Sequence, residues 1–70
     1  MITTKELYEW KETIKSNNEQ AKQQLNAYKN DEGMRNYYLA LIRVTEAQLS
    51  MLYRMIRQSE ENDKAVLLWQ

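Results

Sequence analysis

Leu7, Ile14, Ala21 and Tyr28 recur at intervals of seven residues, with Trp10 and Leu25 beside them. At about 100° of rotation per residue, these six side chains fall in one helical stripe roughly 60–80° wide. Most of the remainder of the segment is Glu, Lys, Gln and Asn. So narrow a stripe serves a single neighbour. Its start is marked as well. Thr3-Thr4-Lys5-Glu6 fits a capping box, and Ile2 with Leu7 fits the accompanying hydrophobic staple. The spacing predicts a first helix over about residues 4–29.

The stripe stops at Asn30-Asp31-Glu32-Gly33, which holds the only glycine of the chain. Asn and Asp end one helix and cap the next, and a connection of about four residues suits antiparallel neighbours. The rival arrangement is one continuous rod weakened at Gly33, since a glycine inside a helix costs only about 1 kcal/mol. Three turn-forming residues together favour a turn at 30–33.

A second helix is expected from about 34 to 61, and it is of a different kind. Tyr37, Tyr38, Leu41, Ile42, Val44, Leu49, Met51, Leu52, Met55 and Ile56 spread over roughly 180° of the wheel. That is wider than one neighbour can cover. Folding the chain at residues 31 and 32 sets Leu25 near Tyr38, Ala21 near Ile42 and Ile14 near Leu49. Leu7 or Trp10 then lies near Leu52 to Ile56. The fold class is all-α, a two-helix antiparallel hairpin in a single domain over 1–70.

Beyond Glu60-Glu61-Asn62-Asp63 comes a short apolar segment, Lys64-Ala65-Val66-Leu67-Leu68-Trp69-Gln70. It can continue the second helix, form a short third one or pack as coil. Chain termini are ordinarily polar, so its apolar side chains invite a partner.

An apolar patch of several hundred Å² rarely stays bare on a monomer. The surplus arc therefore predicts self-association, most simply a two-fold dimer forming a four-helix bundle. Tyr38, Ile42, Leu49, Leu52, Met55 and Ile56 are the candidate interface. Tyr53, Leu67, Leu68 and Trp69 are candidate anchors for another protein, Tyr53 and Trp69 because an apolar body with a polar tip favours interface rims, and Leu67 and Leu68 as part of the apolar terminal segment. Arg35, Arg43, Arg54 and Arg57 share the opposite, charged face, where Glu46 lies within a turn of Arg43. Asn17 and Asn18 sit in or beside the first stripe. A buried asparagine can fix the register of such a seam, but the weaker apolar character there favours solvated amides.

Composition closes several other routes. Cysteine and histidine are both absent, which removes disulfides and the usual zinc ligands, and no metal or cofactor is expected. Consecutive Glu60, Glu61 and nearby Asp63 do not converge on one ion. With no histidine, cysteine, glycine-rich loop or serine motif, and little room for a pocket, the chain is not expected to be an enzyme. Ten basic residues balance ten acidic ones, so no strong pull toward nucleic acid or anionic lipid is expected. Neither a membrane span nor a signal peptide is apparent, and the expected location is the cytoplasm. The Asn-, Lys- and Tyr-rich usage is common in AT-rich bacterial or phage genomes.

These features predict a small helical interaction module. It would be a homodimer that regulates, inhibits or adapts a larger protein. The alternative is a structural or assembly subunit of a larger helical complex. A third reading is a weak nucleic-acid binder using the arginine face.

Overall fold

The computed structural model describes the backbone of residues 2–69 and the side chains of residues 2–67. Two helices pack along their lengths as an antiparallel hairpin, α1 (Thr4–Ala27) and α2 (Glu32–Trp69). Thr3 caps α1, its hydroxyl oxygen accepting the Glu6 amide at 3.1 Å. The Thr3 hydroxyl donates in turn to the Glu6 carboxylate at 3.3 Å, so the capping box closes through the side chains.

The turn begins earlier than the sequence suggests. α1 stops at Ala27, where the Tyr28 amide donates back to the Gln24 carbonyl at 2.9 Å. Asp31 starts α2 as its cap, its carboxylate accepting the Met34 amide at 3.1 Å and its carbonyl the Arg35 amide at 2.8 Å. Gly33 therefore lies inside the first turn of α2, and no residue described has a positive φ. The expected turn at 30–33 shifts to 28–31 because capping by Asp31, rather than glycine's backbone freedom, makes the break.

α2 also runs past its expected end near residue 61 and takes in the apolar segment. Glu60 to Asp63 do not break it, because Asp63 and the adjoining Ser59 are tied to α1. The Thr4 hydroxyl bonds the Ser59 hydroxyl and donates to the Asp63 carboxylate at 2.9 Å.

Between the helices runs a seam in strict three–four alternation. On α1 it comprises Thr4, Leu7, Lys11, Ile14, Asn18, Ala21 and Leu25, the residues that helix withdraws from solvent. On α2 it comprises Tyr38, Ile42, Thr45, Leu49, Leu52, Ile56 and Ser59. This is the pattern of a two-stranded coiled coil. Leu7, Ile14, Leu52 and Ile56 form its central cluster, with Leu49 packed against them. Leu52 is the best shielded, at 2% exposed. Tyr28 stacks on Tyr38 near the turn, ring centres 6.0 Å apart.

Asn18 departs from its expected place. It is only 5% exposed, and its amide donates to the Thr45 hydroxyl at 2.8 Å and toward the Ile42 carbonyl at 3.4 Å. Thr45 donates to carbonyls of its own helix, at Leu41 and Ile42. Asn17 is exposed as expected. The seam position decides between them: Asn18 completes the run from Ile14 to Ala21, whereas Asn17 stands beside it.

Candidate functional site

The hairpin is a slab whose two long edges differ chemically. Along one edge, polar side chains cross from helix to helix. The Tyr8 hydroxyl donates to the Glu60 carboxylate, and Lys22 approaches Glu46 at 3.8 Å. Lys11 holds its ammonium 5.0 Å from the Tyr8 ring centre and 5.7 Å from that of Tyr53. The hydrogen bond to Glu60 raises the Tyr8 pKa above its ordinary value, with desolvation and the carboxylate's charge adding to it. Glu46 thus turns to Lys22 across the seam, whereas its sequence neighbour Arg43 stays exposed.

Among the described residues the other edge has no such cross-links. There α2 carries a second three–four run, one residue out of step with the first: Tyr37, Leu41, Val44, Gln48, Met51 and Met55, continued by Gln58 and Asn62. No member is charged. Val44 is 53% exposed, Met51 57% and Tyr37 60%. Two grooves between the helices open along this run. The first is walled by Asn17, Gln20 and Gln24 of α1 and by Leu41, Val44 and Gln48 of α2. The second joins Ile2 and Thr3 to Met55, Gln58, Asn62 and Val66. Trp10, a heptad from both Thr3 and Asn17, stands between the grooves with its ring half exposed.

This geometry redistributes the residues singled out by sequence. Leu52 and Ile56 are buried against α1, so they cannot also meet a second molecule. Tyr38 and Ile42 are half-buried on the same covered seam, and Leu49 packs on the core. Of the six candidate interface residues, Met55 alone belongs to the open run. The reason is physical: the broad arc contains two adjacent seams, and α1 covers the one centred on Leu52. The open run is Tyr37, Leu41, Val44, Gln48, Met51 and Met55, with Leu41 and Gln48 half-buried; all but Gln48 were already marked as apolar by the sequence.

The candidate anchors part ways too. Tyr53 is exposed, but it lies on the cross-linked edge under Lys11. Leu67 is exposed on the last turns of α2, with Val66 one residue before it at the second groove. The side chains of Leu68 and Trp69 lie outside the described residues. Arg35, Arg43, Arg54 and Arg57 are all exposed on the back of α2, away from α1, and none forms a salt bridge among the described residues.

No described helix is long and apolar enough to cross a membrane. Comparison with protein-family models, curated proteins and solved structures finds no match for the chain.

Proposed function

We propose that the chain is a helical protein–protein interaction module whose working surface is the open seam of α2. The observation that carries this reading is the contrast between the two edges. One edge is closed by side-chain pairs from Tyr8–Glu60 to Lys22–Glu46. The other exposes Tyr37, Val44, Met51 and Met55 along an uncharged heptad track. Such a track suits an amphipathic helix laid into the groove beside it, read at intervals of three and four residues. Methionines at the centre give it a surface that repacks around a partner. Acting through this seam, the module would regulate, inhibit or adapt a larger protein, as the sequence led us to expect.

The test compares the wild-type chain with a Val44→Asp, Met51→Asp variant, each immobilised and exposed to extract from the native cell. Proteins held by the wild type are expected to be lost from the variant and kept by an Arg43→Glu control. An unchanged set of retained proteins on the seam variant rejects the reading.

A further inference from the structure

Resting on the reading of the open seam as an interaction surface, we infer that its occupant is a second copy of this chain, with α2 packed antiparallel on α2 about a two-fold axis between Val44 and Gln48.

Three observations select this occupant. The hairpin's own core is thin: among described residues only Leu7, Ile14, Ala21, Leu52 and Ile56 are buried apolar side chains. A chain of this size is marginal without further burial, and the partner always present at the chain's own concentration is another copy. The dimensions fit as well. In this pairing residues 32–60 of the two α2 helices overlap, about 43 Å at 1.5 Å per residue, and with a slab 16 Å wide this offers roughly 700 Å², within the about 600–1,000 Å² per partner of a stable interface. Finally, the seam complements itself. It is uncharged, so a second copy brings no like-charge repulsion into the contact.

The pattern also fixes direction and register. A parallel pair would set Gln48, Gln58 and Asn62 each against its own copy inside the interface. The antiparallel arrangement sets Leu41 on Met51 and Tyr37 on Met55, with Val44 beside Gln48 at the axis. Gln58 then reaches only Met34, and Asn62 falls beyond the start of the other α2. The flanking heptad position is Gly33, Ala40, Ala47, Arg54 and Glu61. In this register Ala47 meets Ala47 of the other copy, which lets the two backbones come close, and Arg54 lies over Ala40.

The absence of cysteine makes single-cysteine variants clean probes. Sedimentation equilibrium of the wild type is expected to give twice the 8.5 kDa chain mass. A short bismaleimide is expected to join Ala47→Cys to itself. Ala40→Cys alone is expected to stay unjoined, because its two copies lie about 20 Å apart along helices rising 1.5 Å per residue. A mixture of Ala40→Cys and Arg54→Cys is expected to cross-link. Equal self-joining of Ala40→Cys and Ala47→Cys would establish a parallel pair and overturn the inference, as would failure of Ala47→Cys to join. A single-chain mass at the highest attainable concentration overturns it too. In that last case, seam-dependent capture of another protein leaves the broader reading standing, so the two failures are distinguishable.

Discussion

The side-chain amide of Asn18 donates to the Thr45 hydroxyl at 2.8 Å in the middle of the seam that joins α1 to α2. Both residues are buried, and among the described residues no buried side-chain polar atom lacks a partner. A single polar layer of this kind adds little stability but penalises every other alignment of the two helices, where one partner would be left unpaired.

Replacing Asn18 alone with Ala is therefore expected to cost about 1–2 kcal/mol, through the lost bond and the space left behind. The paired change Asn18→Leu with Thr45→Val is expected to be neutral or stabilising, since it removes both buried polar groups together. Urea unfolding of Asn18→Leu, of Thr45→Val and of their combination gives the coupling. Additive effects would show that the layer does not act as a unit.

Among the described residues Leu52 is the most completely enclosed large side chain. Leu52→Ala is expected to cost about 2–5 kcal/mol, a large share of a small domain's total stability. Arg57→Ala, on the exposed back of the same helix, is expected to stay within about 0.5 kcal/mol of wild type. Thermal melts followed by circular dichroism separate the two.

Gly33 sits in helical conformation without a positive φ, and a methyl group there would meet only the Asp31 carboxylate, at 3.7 Å. Gly33→Ala is expected to stabilise by about 0.4–1 kcal/mol, because it restricts the unfolded chain at no cost to the folded one. Asp31→Ala removes the cap of α2 and is expected to cost about 0.5–2 kcal/mol. A destabilising Gly33→Ala would place the turn back at glycine.

Tyr8 gives the molecule a weak alkaline response. Its folded pKa is raised above the reference value of 10.0 by the hydrogen bond to Glu60, so the folded state holds the phenol proton more tightly than the unfolded chain. The associated stability is present below that reference value and is lost as pH rises through the folded pKa. Tyrosinate absorbance should show one late-titrating phenol that Tyr8→Phe abolishes. Tyr8→Phe should also flatten the fall in melting temperature on the alkaline side.

Much of this fold is legible in the chain because its signals are local. The heptad of Leu7, Ile14 and Ala21 defines the covered stripe of α1, and Thr3 with Glu6 defines its start. Two features were harder to read, each because a distant contact decides it. Glu60 to Asp63 resemble a helix end until Thr4 is seen to bind Ser59 and Asp63. Asn18 resembles a wet surface amide until Thr45 is found opposite. The open surface was half legible: the width of the α2 arc announced surplus apolar area. Which half α1 would cover depends on the rotation of one helix against the other. A shift of one residue, from Leu52 to Met51, separates core from surface, and no local signal encodes that angle.

The unbroken course of α2 has a hydrodynamic consequence. The radius of gyration is 16.5 Å, against roughly 11 Å for a compact domain of equal length. A single hairpin would therefore drag through solvent like a heavier particle, and gel filtration calibrated on compact standards would overstate its mass. Side-by-side pairing thickens the rod far more than it lengthens it. Friction per unit mass should then fall on association, a signature readable from sedimentation velocity alone.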